Sequence, residues 1–168
     1  MVSSKTLILD HKTVDQKLVR IAHQIIENNA NESNVILVGI MSNGFKVAER
    51  IHHIISETGL CSTELESLKL HKDLPLEHGM EFSGELESLE GKSVVLIDDV
   101  LNSGRTLIYA TRYLLESGLK QLSTVVLVDR RHRKFPIKAD FVGLTLSTTL
   151  KERIAVEFDG DKAQAFLE

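Results

Sequence analysis

Ser93-Val-Val-Leu-Ile-Asp-Asp-Val-Leu-Asn-Ser-Gly-Arg-Thr106 reads as a buried strand, a pair of acids, a turn of small residues and the start of a helix. Val94 to Ile97 is a continuous apolar run, the pattern of a parallel strand covered on both faces. Thr106 to Glu116 follows as a helix. The backbone N–H groups of Asn102, Ser103, Gly104, Arg105 and Thr106 fall at its N-terminus, where unpaired donors and the helix dipole favour a phosphate. Gly104 lets the main chain come close to such an anion, and the hydroxyls of Ser103 and Thr106 add donors. Asp98 and Asp99, at the strand end, can accept from sugar hydroxyls, so phosphate and sugar would be read together. The ordinary alternative is a strand that ends in acids and a turn built of common turn residues. For a bare Asp-Asp pair, that alternative would prevail.

Outward from this segment, strands and helices alternate. Lys5 to Leu9 forms a short strand, and Thr13-Val-Asp-Gln16 has the spacing of a capping box that opens a helix. Val14, Leu18, Ile21, Ala22 and Ile25 give that helix one apolar face. Val35 to Ile40 is a second buried strand, Phe45 to Ser56 a helix, and Leu65 to Leu70 a strand. His71 to Gly91, with Pro75, Gly79, Gly84 and many acids, reads as a mobile loop. Strands at Thr124 to Val128, Phe141 to Leu144 and Ile154 to Phe158 complete the core, before a polar tail from Asp159. The pattern predicts an α/β fold with a central, mostly parallel sheet flanked by helices. Ligands of such sheets sit at the carboxyl ends of the strands, which directs attention to the loops after Ile40, Ile97 and Val128.

Length and composition agree. A chain of 168 residues, 42% hydrophobic and 26% charged, is expected to make one domain over residues 1–168. Cys61, the single cysteine, has no internal partner, and the start Met-Val-Ser-Ser-Lys lacks a signal peptide's apolar run, so a cytoplasmic protein is expected. No apolar run reaches the length of a membrane span, so no membrane partner is expected. A net charge of −4 gives no general attraction to nucleic acid.

The segment Val94 to Thr106 resembles the signature of type I phosphoribosyltransferases: four apolar residues, two acids, two apolar residues, a variable residue, then Thr/Ser-Gly-x-Thr. Across nearly the whole chain the resemblance is to one branch, the PyrR group of uracil phosphoribosyltransferases and pyrimidine-operon attenuation proteins. It rests on Leu18-Val-Arg-Ile-Ala-His23, Ile36-Leu-Val-Gly-Ile40, Val126-Leu-Val-Asp-Arg-Arg-His-Arg133 and Pro136-Ile-Lys-Ala-Asp-Phe-Val-Gly143. The resemblance implies that family's fold, with a small hood formed by the termini and the stretch near Phe141. It also implies Mg²⁺-dependent transfer of ribose 5-phosphate from phosphoribosyl pyrophosphate (PRPP) to a nucleobase, uracil first, with loss of pyrophosphate. Family habit implies a homo-oligomer.

By the same resemblance, Asn102, Ser103, Gly104, Arg105 and Thr106 hold the 5′-phosphate, and the catalytic Asp98 and Asp99 hold the ribose hydroxyls. Ser42-Asn43-Gly44 falls at the pyrophosphate loop, where this branch usually carries Thr-Arg-Gly. Leu70-His-Lys-Asp73 falls at the flexible loop, so that His71 or Lys72 would supply the charge. Val128, Asp129, Phe141 and Val142 fall near the base, with Phe141 able to stack on it. No protein side chain is assigned to the metal, because Mg²⁺ dehydrates reluctantly and would ride on PRPP oxygens and water. Asn102 stands where purine-salvage members carry an acid, which argues against a 6-oxopurine.

Other readings fit less well. Gly39-Ile-Met-Ser-Asn-Gly-Phe-Lys46 nearly spells a P-loop, but Lys46 comes one residue late and Val47 replaces the metal-binding hydroxyl. No G-x-G-x-x-G follows any strand, against a dinucleotide fold. The non-enzymatic alternative is a nucleotide-sensing, RNA-binding regulator of pyrimidine genes. Its basic face would be Arg130-Arg-His-Arg-Lys134, Lys138, Arg20 and His23. Val19 and Asn28 stand where RNA-binding relatives tend to carry Thr and Arg, so the enzyme reading is preferred.

Overall fold

The computed structural model describes residues 5–71 and 73–168; Lys72, named above for the flexible loop, lies outside the described residues. The main sheet contains β2 (Asn34–Ile40), β3 (Ser62–Leu70), β4 (Met80–Phe82), β5 (Ser93–Leu101), β6 (Gln121–Asp129) and β7 (Phe141–Thr145) in the order β4-β3-β2-β5-β6-β7. Every neighbouring pair is parallel except β3 with β4. A smaller antiparallel sheet, β1 (Thr6–Leu9), β9 (Lys162–Leu167) and β8 (Ile154–Asp159), forms the hood.

Strand periodicity divides the core between the two faces of the main sheet. Val35, Leu37, Val95, Ile97, Val125 and Leu127 point toward α1 (His11–Asn28), α2 (Asn43–Thr58) and the hood. Ile36, Val38, Val94, Leu96 and Val126 point the other way, toward Leu107, Ala110 and Leu114 of α3 (Arg105–Leu115). Both faces are therefore dry, which is why these strands read as unbroken apolar runs. Gly39 permits the closest contact between layers. A Cβ placed there would lie 2.5 Å from the Phe45 Cα and 2.9 Å from the Ala48 Cβ, so only glycine lets α2 lie against β2.

The structure moves several boundaries. Helix α1 is capped at Asp10 and not Thr13: the Asp10 carboxylate accepts from the Thr13 amide at 2.8 Å, and His11 is the first helical residue. The stretch near Phe141 is the edge strand of the main sheet, so the hood is built from the two ends of the chain alone. The polar tail after Asp159 turns back as β9, whose Ala163 and Ala165 are fully buried. Within His71 to Gly91, β4 and a 3₁₀ turn at Leu86–Leu89 add to the core edge, with Leu89 1% exposed. No helix among the described residues is long and apolar enough to cross a membrane.

Gly39→Ala is expected to push α2 off the sheet and lower stability by about 1–3 kcal/mol, the usual range for overpacking, read as a lower urea midpoint. Hydrogen bonds from Thr13, first its side chain and then its amide, hold the Asp10 carboxyl below its ordinary value. Its stabilising effect is therefore present above the unfolded-state pKa and is lost as pH falls through the depressed folded value. Asp10→Ala should lower Tm at neutral pH, and the gap from wild type should close on acidification.

Candidate functional site

At the carboxyl end of β5, burial is kept while chemistry changes. Ile97 is fully buried, and Asp98 and Asp99 follow at only 4% and 8% exposed. They line a cavity of about 240 Å³ together with Asn43, Val100 to Leu107, and Arg153 to Val156 of the hood. The Asp98 carboxylate accepts from the Asp99 amide at 2.9 Å. Gly44, at the start of α2, abuts this strand end so closely that a Cβ there would lie 2.8 Å from the Ile97 carbonyl oxygen and 2.9 Å from the Asp98 Cα.

The turn that follows has its carbonyls held from behind. The Leu101 oxygen accepts from the Arg130 amide at 3.0 Å, and the Ser103 oxygen from the amides of Lys134 and Phe135 at 2.9 and 3.0 Å. The Arg133 guanidinium donates to the Asn102 oxygen at 2.9 Å and the Ile137 oxygen at 2.9 Å, and pairs with the Asp129 carboxylate at 2.6 Å. The amides on the other side of the same peptides are left open. Among the described residues, those of Asn102, Ser103 and Gly104 find no acceptor, whereas the Arg105 amide turns to the Ser103 hydroxyl at 3.3 Å. Gly104 caps α3 with φ +87°, and a Cβ there would meet Ile137 at 2.7 Å. The turn is thus a row of main-chain donors at a helix N-terminus, facing a cavity with two buried carboxylates.

Asn43 connects the site to the hood. Its side-chain amide donates to the Asp99 carboxylate at 3.2 Å and to the Val156 carbonyl at 2.9 Å, so one residue ties β5, α2 and β8 together. Arg105 leans away from the turn. Its guanidinium donates to the Asp73 carbonyl at 2.8 Å and lies over the Phe135 ring.

The structure thus gathers Asp98, Asp99, Asn102, Ser103, Gly104, Arg105, Thr106 and Asn43 around one cavity. Gly44 abuts the backbone of Asp98 beside it, while Ser42 is exposed and does not line it. Val128, Asp129, Phe141 and Val142 do not line it. Val128 is fully buried, Phe141 and Val142 pack into opposite faces of the core, and Asp129 is occupied by Arg133 and the Arg131 amide. His71 accepts from the Leu74 amide and stacks with His78, apart from the cavity. The hood wall, Arg153 to Val156, went unread in the sequence, because nothing in an alternating strand says which site it will cover.

Comparison with known proteins agrees with this architecture. The model of the phosphoribosyl transferase domain matches residues 4–159. The Bifunctional protein PyrR of Haemophilus ducreyi is 40% identical over 167 residues, covering 92% of each chain. That of Geobacter sulfurreducens is 40% identical over 161 residues, covering 92% of this chain and 91% of its own. Among solved structures, the hypoxanthine phosphoribosyltransferase of Trypanosoma cruzi superimposes with a TM-score of 0.78 over 95% of both chains at 16% identity, a likeness of fold. A cradle of open amides beside paired buried acids, on a sheet matched almost end to end, leads to one conclusion: the chain belongs to the phosphoribosyl transferase domain family.

Proposed function

We propose that this phosphoribosyltransferase transfers ribose 5-phosphate from PRPP to a nucleobase, uracil first, and releases pyrophosphate. The observation that carries the reading is the row of open amides at Asn102 to Gly104 beside Asp98 and Asp99. An anion at the amides would put its sugar hydroxyls against the carboxylates. In the reaction the C1′–O bond to pyrophosphate breaks and a C1′–N bond to the base forms, while the base nitrogen gives up its proton. Positive charge develops on the ribose, and Asp98 and Asp99, nearly shielded from water, oppose it where the local dielectric is low. Main-chain amides and the Ser103 and Thr106 hydroxyls fix the 5′-phosphate without adding charge.

Among the described residues no cluster of three His, Cys, Asp or Glu side chains is placed to hold a metal. Two adjacent carboxylates suit a Mg²⁺ that arrives on substrate oxygens and water, with Asp98 and Asp99 as the residues to hold its shell. Bound there, it would neutralise charge on the leaving pyrophosphate.

The regulator reading rests on the basic run, and the contacts of that run favour the enzyme. Arg133 is committed to the phosphate turn, and Arg130 donates to the Thr148 hydroxyl and Thr149 carbonyl. Arg20 is bound to the carbonyls of Val142 and Gly143. Arg131, Lys134 and Lys138 remain exposed, a small complement for an RNA backbone on an acidic protein.

In a panel of bases assayed with Mg²⁺ and PRPP, uracil should give pyrophosphate release. Asp98→Asn should lower kcat by about 10²-fold or more, the scale for removing one preorganised charge-stabilising group. Thr106→Val should raise the KM for PRPP by up to about tenfold. Gly104→Ala should raise it by about the same factor while helix content by circular dichroism stays unchanged. Nucleotide binding with no turnover of any base would instead support the sensing role.

A further inference from the structure

A substrate with two phosphorylated ends would enter a cavity whose floor carries two carboxylates, so a cation on the wall would add to the charge that Mg²⁺ brings. At the turn, main-chain donors meet one phosphate. The other phosphorylated end has no cation from the loop after β2. Ser42, Asn43 and Gly44 are uncharged, the Asn43 amide is occupied by Asp99 and Val156, and Lys46 lies over the Phe158 ring, 5.3 Å from its centre.

Two cations line the cavity among the described residues, Arg105 and Arg153. Arg105 is engaged with the Asp73 carbonyl and the Phe135 ring. Arg153 differs. Its backbone pairs with Glu168 at 2.8 Å in both directions, which anchors the residue at the base of β8, yet its exposed side chain has no hydrogen-bond or ion-pair partner among the described residues. The neighbouring Glu152 carboxylate caps the Thr149 amide at 2.7 Å and makes no ion pair with Arg153 among the described residues. Asn43 then fixes the strand three residues further on, through the Val156 carbonyl, against the same Asp99 that lines the floor.

We propose that Arg153, delivered by the hood, binds the diphosphate group of the ribosyl donor and stabilises it as it leaves. This rests on the PRPP reading of the site and adds the residue that meets the leaving group. A guanidinium suits the role, since its planar fork matches two phosphate oxygens at once and keeps its charge at every working pH. Its departure from water is small in the empty protein, and its pairing with substrate adds charge where negative charge accumulates in the transition state.

The test compares wild type with Arg153→Met and Arg153→Lys. Calorimetry measures binding of Mg²⁺-pyrophosphate and of ribose 5-phosphate, and steady-state kinetics measures KM for PRPP and for uracil. Because the exposed side chain makes no hydrogen bond or ion pair among the described residues, Tm should be unchanged. Arg153→Met should weaken pyrophosphate binding and raise the KM for PRPP by about ten- to a hundredfold, the scale of one lost charged hydrogen-bonding group. Ribose 5-phosphate affinity and the KM for uracil should move less than about twofold on the same scale, and Arg153→Lys should recover part of the loss. Unchanged pyrophosphate binding in Arg153→Met, an equal loss for ribose 5-phosphate, or a loss confined to uracil would each overturn the assignment. If such a variant behaves like an active wild type, only Arg153 is misassigned. If wild type binds neither PRPP nor pyrophosphate, the reading of the whole site falls with it.

Discussion

The site depends on where the carbonyls of one turn point. A peptide group has its N–H and C=O on opposite sides, so holding the oxygens of Leu101, Asn102 and Ser103 from behind turns the neighbouring amides forward. That hold comes from the segment after β6, through the amides of Arg130, Lys134 and Phe135 and the Arg133 guanidinium. Asp129 in turn pairs with Arg133, and its carboxylate does not line the cavity. A helix N-terminus alone would aim its first amides along the axis, but would not orient the peptides of the turn that precedes it. Here the strand, the turn and the following segment leave them one arrangement, and Gly104 supplies the backbone conformation it requires.

The second constraint couples hood and sheet. The hood strands come from the two ends of the chain and join the main sheet's chemistry through few polar links, of which Asn43 is the most direct. By donating to both Asp99 and the β8 backbone, it places a buried acid, the start of α2 and the cavity's outer wall in one frame. In this chain the loop residue is a strut between hood and sheet. The charge expected of that loop is then sought elsewhere on the wall, which is what makes the hood's arginine meaningful.

Much of this architecture was legible in the chain. Continuous apolar runs such as Val94 to Ile97 could only be strands buried on both faces, and the acids and small residues after them could be placed at once on the ligand side. What escaped depended on contacts distant in sequence. Lys162–Leu167 carries too few large apolar residues to announce a strand, and only pairing with β1 and β8 buries its alanines. Met80–Phe82 is recognisable as a strand only beside β3. The start of α1 lies three residues before the one its spacing suggests, because Thr13 and Gln16 imitate a capping box while Asp10 provides the cap. The basic run Arg130 to Lys134 looked like a surface patch, since composition does not reveal that Arg133 faces inward to hold carbonyls. Phe141 and Val142, half-buried at a sheet edge, pack against the two faces of the core, and a base contact for them rests on the resemblance alone.

The amides of Asn102, Ser103 and Gly104 are the groups that would grip a phosphate. Titration of isotope-labelled protein with ribose 5-phosphate, followed by amide chemical shifts, reads those groups one by one. Saturable downfield shifts centred on Asn102 to Thr106 are expected, with smaller changes at Asp98 and Asp99. Saturable binding with these amides unmoved, and the largest shifts elsewhere on the surface, would contradict that role.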